Sequence, residues 1–223
     1  MIKKYAIIVA GGTGKRMGES LPKQFLKLGG TPILIHTLQA FHNADPEIEL
    51  IITLPQEEIQ FWDELNIWHQ NYIEHKVVAG GTTRFHSVKN ALEHVGEGIV
   101  AVHDGVRPFI SANIINQSFE QAKEKKAVVT AVLMKDSVRQ LDESGKSVNI
   151  DRSSLRMIQT PQTFDVELLK SAYNTDYKSS FTDDASVVEA FGQDVTLIDG
   201  DYQNIKITTP EDLIIAEALL GAK

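Results

Sequence analysis

Cysteine is absent from this sequence of 223 residues, which excludes disulfide bonds, thiolate catalysis and zinc sites built on cysteine. The seven histidines show neither H-E-x-x-H nor another spacing typical of metal ligands, so most should be packed or lie on the surface. Long apolar runs are also missing: the one in MIKKYAIIVAGG is too short for a signal peptide or a membrane span. We therefore predict a cytoplasmic protein with no membrane partner.

Positive charge is scarce as well. The sequence has 22 lysines and arginines against 30 acidic residues, a formal net charge of −8, so we predict no nucleic-acid partner. Hydrophobic residues make up 42%, ample for a sizeable core, and the length suits a single domain over residues 1–223. A cluster of cations in so acidic a chain indicates a local anion site.

Glycines and cations come together in residues 9–23, VAGGTGKRMGESLPK. An apolar run ends there in Gly11 and Gly12, and glycine lets backbone N–H groups approach an anion closely. Arg16 and Lys23 can add charge, the first as a planar fork and the second as a mobile point charge. The stretch predicts a phosphate site; an ordinary glycine-rich turn between strand and helix is the alternative.

Two common phosphate motifs do not fit this stretch. The P-loop needs Ser or Thr after Gly-Lys and a leading Gly, but Arg16 and Val9 occupy those places. The dinucleotide fingerprint puts Met17 in place of its third Gly, and its ribose-binding acid would fall near Leu34 in an apolar segment. A Rossmann dehydrogenase is therefore disfavoured.

Strand-like and helix-like segments alternate along the chain. Short runs rich in Ile and Val, typical of buried parallel strands, occupy residues 5–10, 50–54, 76–79, 99–103 and 127–133. Amphipathic segments lie between them at residues 32–43, 56–72, 83–95 and 112–125. Helices at 165–174, 183–191 and 210–220 and strands at 195–198 and 204–207 follow. This rhythm predicts an α/β fold with a doubly wound, mostly parallel sheet and a ligand site beyond the carboxyl ends of its strands.

Three helix starts carry cap signals. Thr31 followed by Pro32, and Thr209 followed by Pro210, each suggest a cap with proline at the first helical position. Thr182 can cap the helix that begins in TDDAS.

The alternation breaks at residues 137–152. Val138, Leu141, Val148 and Ile150 lie on either side of the polar turn DESG, which is a hairpin signal. Because a lone two-stranded ribbon is marginally stable, we predict an arm that projects from the domain and packs on a second subunit in a homodimer. A loose exposed hairpin is the alternative.

Polar groups follow several of the predicted strands. Asp104, after a buried strand, can hold a ribose hydroxyl or a metal ion, or merely cap its turn. Gly81 and Ser87 can read a base edge, although a helix cap explains that segment equally well. Arg152 and Lys206 would not stand out alone; a surface charge and an edge-strand gatekeeper are their ordinary roles.

Taken together, the segments resemble the 2-C-methyl-D-erythritol 4-phosphate cytidylyltransferase family along nearly the whole chain. The matching motifs, in order, are AGGTGKRMG, PKQF, GGTTRFHSV, HDGVRPF, the DR that ends the hairpin, TPQTF, TDDAS and NIKITTPEDL. The first is shared with many sugar-phosphate nucleotidyltransferases, whereas its combination with the others is much more specific.

The resemblance implies a Rossmann-like nucleotidyltransferase fold and the transfer of CMP from CTP to 2-C-methyl-D-erythritol 4-phosphate, with Mg²⁺ as cofactor and pyrophosphate as by-product. It implies that Arg16 and Lys23 stabilise the transition state, while Arg152 and Lys206 bind the substrate phosphate and aim it. Mg²⁺ would contact Asp104 or be held by the CTP phosphates alone. The nucleotide site would comprise Lys23 with Ala10, Gly11, Gly12, Thr13, Gly14, Gly81, Ser87, Asp104 and Gly105. The substrate site would comprise Arg107, Ser137, Arg152, Thr160, Thr182, Asp183 and Lys206.

Two departures and two alternatives accompany the resemblance. Thr82 stands where many relatives carry an acid, and Gly105-Val106 where many carry two alanines. The HD-x-VRPF form also occurs in ribitol-5-phosphate cytidylyltransferases, which makes ribitol 5-phosphate the alternative substrate. A regulatory module that binds the nucleotide without turnover is the alternative from another class.

Overall fold

A seven-stranded sheet organises the chain. The structure is a computed structural model that describes residues 2–12 and 21–222. The strands, in chain order, are β1 Lys4–Val9, β2 Lys27–Leu28, β3 Thr31–Pro32, β4 Glu49–Leu54, β5 Lys76–Ala79, β6 Ile99–Asp104, β7 Ala127–Leu133, β8 Val138–Leu141, β9 Ser147–Ile150, β10 Arg156–Asp165 and β11 Thr196–Asp199. The main sheet has the order β11-β7-β10-β6-β1-β4-β5, and every neighbouring pair is parallel except those of β10.

Helices cover both faces of this sheet. They are α1 Ile33–Ala44, α2 Ile59–Trp68, α3 Arg84–Leu92, α4 Ala112–Lys125, α5 Val166–Tyr173, α6 Asp184–Ala190 and α7 Pro210–Gly221. On β1, Ala6 and Ile8 face one core and Tyr5 and Ile7 the other, because side chains alternate along a strand. The first core also takes α1, α2 and α4, and the second takes α3, α5 and α6. The predicted doubly wound, mostly parallel sheet is confirmed.

The strand β10 is the largest element that the sequence reading missed. It runs antiparallel between β6 and β7, with a shift of register between Ile158 and Gln162. Its sequence contains Pro161, which argues against a central strand, and polar residues that do not alternate with apolar ones. The polar side chains instead form hydrogen bonds within the fold: Gln162 Nε2 donates to Asp183, and Thr163 Oγ1 donates to Ser118 Oγ.

The prediction of a strand at residues 204–207 is wrong. The segment has no strand pairing, and one backbone bond, from Ile207 N to Val106 O, ties it to the turn after β6. Ile207 is fully buried and explains the apolar pattern that suggested a strand. Lys206 therefore extends from an irregular segment.

Helix caps correct two further predictions. Pro32 lies in β3 and precedes α1 rather than opening it, and α6 is capped by Asp183 rather than by Thr182. The start of α7 is confirmed: Thr209 caps it, Pro210 follows, and Asp212 closes a reciprocal capping box.

The predicted hairpin is present as a sheet of its own, β8–β9. Asp142 Oδ1 accepts the N–H groups of Ser144 and Lys146, and Gly145 at φ +82° completes the turn. Leu141 and Val148 are 67% and 53% exposed, so the arm offers apolar surface to solvent. In the described part of the chain, no helix is both long and apolar enough to cross a membrane.

Candidate active site

A cavity of about 370 Å³ opens at the carboxyl edge of the main sheet, beyond β1 and β6. Two groups of segments supply the residues that line it, together with the residues behind them. The glycine side comprises the segments 9–12, 23–24 and 80–87, and the carboxylate side comprises the segments 104–107 and 201–207. The predicted site residues that line the cavity are Ala10, Gly11, Gly12, Lys23, Gly81, Ser87, Asp104 and Lys206.

The glycine side is shaped by close approaches of the backbone. A Cβ on Gly12 would lie 2.9 Å from Lys23 Cε, so the lysine can cross here only because Gly12 has no side chain. A Cβ on Gly81 would lie 2.3 Å from the Cβ of His86 in α3. Main-chain bonds tie the same loops to the sheet, from Ala10 N to Thr53 O at 3.0 Å and from Gly80 N to Leu54 O at 2.7 Å.

Ser87 is oriented within the glycine side by two hydrogen bonds. Its hydroxyl donates to Thr83 O at 3.1 Å and accepts from Gly81 N at 3.0 Å. Since the single hydroxyl proton is committed, the remaining capacity of Ser87 Oγ is that of an acceptor. Such an oxygen suits an amino group at the edge of a base.

Asp104 is the centre of the carboxylate side. Its carboxylate receives Lys206 Nζ at 3.0 Å and Arg107 Nε at 3.1 Å, and Arg84 Nε lies 3.8 Å away. Burial alone would raise the pKa of Asp104, but the charges of Arg84, Lys206 and Arg107 outweigh it and hold that pKa well below its usual range. The carboxylate is therefore ionised and surrounded by an excess of positive charge.

Arg84 joins the two sides of the cavity. Its Nη1 and Nη2 atoms donate to the two oxygens of the fully buried Asp184, at 2.9 and 2.6 Å. Tyr173 OH donates to the same carboxylate at 2.6 Å. Burial would lower the pKa of Arg84, but the adjacent Asp184 raises it above its usual value, so the guanidinium stays charged.

The backbone at Asp104 is held from the core. Asp104 N donates to Thr160 Oγ1 at 3.1 Å, and that hydroxyl contacts His103 Nδ1, also at 3.1 Å. His103 Nε2 meets the carbonyl of Arg107 at 3.1 Å, which requires this nitrogen to donate. Burial lowers the pKa of His103 to about 4, so the ring is neutral near pH 7 and Thr160 donates to Nδ1.

Several predicted site residues lie away from the cavity lining. Arg107 is behind it, with Nη1 donating to Asn204 O at 2.8 Å; Gly105 is in the same turn, its N–H bound to Val9 O. Thr160 is buried against His103, as described. The side chain of Asp183 caps the N-terminus of α6, and the adjacent Thr182 is exposed.

Arg152 and Ser137 are at the base of the arm rather than in the cavity. Both are exposed, and Arg152 Nη1 donates to the carbonyl of Lys135. Neither residue lines the cavity that Lys206 borders. Thr13, Gly14 and Arg16 lie outside the described residues.

Sequence reasoning did not select six of the lining residues, of which Arg84 and Gln24 have the longest polar side chains; the others are Val9, Thr82, Thr83 and Val106. Arg84 follows a strand and a Gly-Gly pair just as Arg16 does, and that parallel is a signal that could have identified it. Gln24 is fully buried beside Lys23 and donates from Nε2 to Glu58 at 2.7 Å. Its amide carries no comparable signal in the sequence.

The described lining offers little to a metal ion by itself. Asp104 is the one carboxylate among the described lining residues, and no group of three or more acidic or histidine side chains forms a metal centre in residues 2–12 and 21–222. A divalent cation here fits only as a partner of a ligand that brings most of its own oxygens. A nucleoside triphosphate is such a ligand.

Comparisons with known proteins agree along nearly the whole chain. The model of the family described as IspD, 2-C-methyl-D-erythritol 4-phosphate cytidylyltransferase, matches residues 4–222. A protein of that name from Bacteroides fragilis is 52% identical over 216 residues, covering 96% of this chain and 98% of the relative. One from Bacteroides thetaiotaomicron is 50% identical, covering 98% and 100%.

Solved structures are similar as well. The 4-diphosphocytidyl-2C-methyl-D-erythritol synthase of Anaerococcus prevotii superposes with a TM-score of 0.83 at 32% identity, covering 97% of this chain and 95% of that one. The 2-C-methyl-D-erythritol 4-phosphate cytidylyltransferase of Thermus thermophilus gives a TM-score of 0.79 at 30% identity, with 98% of both chains covered.

Proposed function

The chain belongs to the 2-C-methyl-D-erythritol 4-phosphate cytidylyltransferase family, and from that premise we propose how its cavity carries out the reaction. The enzyme transfers CMP from CTP to 2-C-methyl-D-erythritol 4-phosphate, giving 4-CDP-2-C-methyl-D-erythritol and pyrophosphate in isoprenoid precursor synthesis. An oxygen of the methylerythritol phosphate attacks the α-phosphorus of CTP, and the bond from that phosphorus to the bridging oxygen of pyrophosphate breaks.

The observation that carries the proposal is the charge of the cavity. Among the residues that the structure describes, Lys23, Arg84 and Lys206 line it with one carboxylate, that of Asp104, in a protein whose formal net charge is −8. The reaction must bring two anions together, and fixed cations lower the cost of doing so. The attacking phosphate is already an anion near pH 7, so no general base and no covalent nucleophile are needed.

CTP occupies the glycine side in this proposal. Gly11 and Gly12 leave room for the triphosphate, and Lys23 with Arg16 stabilises the charge that develops at the α-phosphate. Thr13 and Gly14 complete the loop, as the resemblance implies. The acceptor oxygen of Ser87 suits the cytosine amino group, whereas uracil would present another acceptor there.

Methylerythritol phosphate occupies the carboxylate side. Lys206 lies at its entrance, with a side chain 41% exposed, and binds the substrate phosphate. Asp104 forms ion pairs with both Lys206 and Arg107, which hold Lys206 beside the cavity and Arg107 directly behind it. Holding both reactants in the correct relative orientation supplies a further part of the rate acceleration.

We assign the cofactor as Mg²⁺. The triphosphate would supply most of its oxygens, and Asp104 is the carboxylate among the described lining residues that would contribute another. When bound, the ion neutralises charge on the phosphates and favours the departure of pyrophosphate.

We also assign the arm, residues 137–152, to a homodimer interface. Its exposed Leu141 and Val148 and the marginal stability of a lone ribbon support this assignment. Arg152 is exposed at the base of the arm and does not line the cavity of its own chain, which favours its binding the substrate phosphate of the partner subunit, with Ser137 nearby.

The purified protein tests the proposal directly. Incubation with CTP and Mg²⁺ plus either 2-C-methyl-D-erythritol 4-phosphate or ribitol 5-phosphate should release pyrophosphate with the first substrate at far the higher kcat/KM. Release with ribitol 5-phosphate alone would reassign the second substrate. Binding of CTP without release from either would identify a regulatory module instead.

A further inference from the structure

The segment that carries Lys206 is anchored on both sides of that residue. Asn204 and Ile207 are each 0% exposed, whereas the side chain of Lys206 between them is 41% exposed. Ile207 packs with Val106 and Phe109 and donates its N–H to Val106 O at 3.0 Å. An apolar anchor therefore holds one end, and the other end depends on Asn204.

Asn204 connects three parts of the carboxylate side. Its Nδ2 atom donates to Thr160 O at 2.8 Å and to Gln159 Oε1 at 3.2 Å, both in β10. Its own carbonyl accepts Arg107 Nη1 at 2.8 Å. Gln159 Nε2 in turn donates to Asp201 O at 2.9 Å, at the start of the same segment. These bonds replace the strand pairing that the segment lacks.

We propose that Asn204 is a positioning residue for the polyol-phosphate site, which sets Lys206 and Arg107 around Asp104. Lys206 is two residues from Asn204, so its Cα cannot move far while the amide is bound to β10. Arg107 depends on Asn204 through the carbonyl that orients its guanidinium. This proposal rests on the proposed function of Lys206 and extends it to a residue that lines no part of the cavity.

The position of Gly200 agrees with this arrangement. A Cβ at residue 200 would lie 2.5 Å from Gln159 Oε1, the acceptor of the Asn204 amide. A larger residue at position 200 would therefore displace the Gln159 amide from its place beside Asn204.

Steady-state kinetics of Asn204→Ala test the proposal. We expect KM for methylerythritol phosphate to rise about fivefold or more, the scale of one or two neutral hydrogen bonds, while KM for CTP stays within about twofold. Ser118→Ala is the matched control, because it removes a fully buried hydroxyl bound to Thr163 in a remote part of the core. It should lower the melting temperature and leave both KM values unchanged.

A purely structural role predicts a different result: Asn204→Ala would lower stability and either spare both KM values or raise them equally, and this would overturn the proposal. If Asn204→Ala does not fold, Gln159→Met decides in the same way, since it removes the acceptor of the amide at similar volume.

Lys206→Ala separates this inference from the proposed function. If that variant leaves KM for methylerythritol phosphate unchanged, the role of Lys206 is wrong. If it raises that KM and Asn204→Ala does not, the role of Asn204 alone is wrong. In the double variant Asn204→Ala/Lys206→Ala, the loss of binding free energy for methylerythritol phosphate should be smaller than the sum of the losses in the two single variants, because Asn204 acts largely through Lys206.

Discussion

The two sides of the cavity are held in place by different means. On the glycine side, main-chain bonds from Ala10 and Gly80 to β4 fix the loops, and missing side chains make room. On the carboxylate side, charged and amide side chains hold one another: Asp104 with Arg107 and Lys206, and Asn204 with β10. The first side should therefore resist most changes except added volume, whereas the second should respond to the loss of single polar atoms.

The largest expected effect is on Lys23, a cation of the glycine side that passes close to Gly12. Lys23→Ala should lower kcat by roughly 10²-fold or more, the scale of losing one preorganised partner of a developing negative charge. The exposed Lys27→Ala in β2 is the control, and should keep normal turnover. Wild-type kcat in Lys23→Ala would remove the charge-based mechanism.

Next in size is the pH dependence contributed by His103, which supports the backbone of the carboxylate side. Its pKa falls from 6.5 in the unfolded chain to about 4 in the folded one, so the unfolded state binds more protons between these values. The stabilisation is complete above pH 6.5 and is lost as the pH falls towards 4, by about 3 kcal/mol in total. Chemical denaturation at several pH values should show that the free energy of unfolding rises steeply with pH across this range, and His103→Gln should largely remove that rise. Equal slopes in the two proteins would contradict the neutral buried ring.

Lys206→Ala comes third and addresses the entrance of the carboxylate side. It should raise KM for methylerythritol phosphate by roughly 10- to 30-fold, the scale of a charge-assisted hydrogen bond, and leave KM for CTP nearly unchanged. Equal losses for both substrates would mean that the two sides do not bind separate reactants.

The smallest of these effects is expected at Gly81, where added volume alone is tested. Gly81→Ala places a Cβ 2.3 Å from His86 Cβ, so the loop must shift. KM for CTP should rise on the order of tenfold or less, since misplacement by about 1 Å can cost up to 10²-fold. Gly221→Ala, which meets nothing within 4 Å, is the matched control. An unchanged KM for CTP in Gly81→Ala would show that this loop does not read the nucleotide.

The same contrast explains what could be predicted from the sequence. Buried parallel strands such as β5 and β7 were located to the residue, because continuous Val- and Ala-rich runs leave few alternatives. The glycine side was recognised for a similar reason: glycines between a strand and cations form a local pattern. Arg84 was missed although it shares that pattern.

The carboxylate side depends on contacts between distant parts of the chain, which no local pattern encodes. Asp104 was identified from its place after a strand, but its three cations come from residues 84, 107 and 206. Residues 204–207 were predicted as a strand from Ile205 and Ile207, whereas Asn204 and Gln159 decide their course. The strand β10 was not predicted because it contains Pro161 and because its glutamines form hydrogen bonds with residues that are distant in the sequence.

The reversed direction of β10 has a consequence for how this protein can change. β10 starts beside the end of β7, with Arg156 opposite Leu133, and it finishes beside the beginning of β7. The chain therefore leaves the sheet for the arm and returns from it at the same rim of the sheet. Residues can thus be inserted into or deleted from the ribbon tip without moving the opposite rim of the sheet, where Asp165 N donates to Lys126 O. In the proposed homodimer, contacts between subunits can therefore diversify at the tip while the sheet beneath the cavity stays constant.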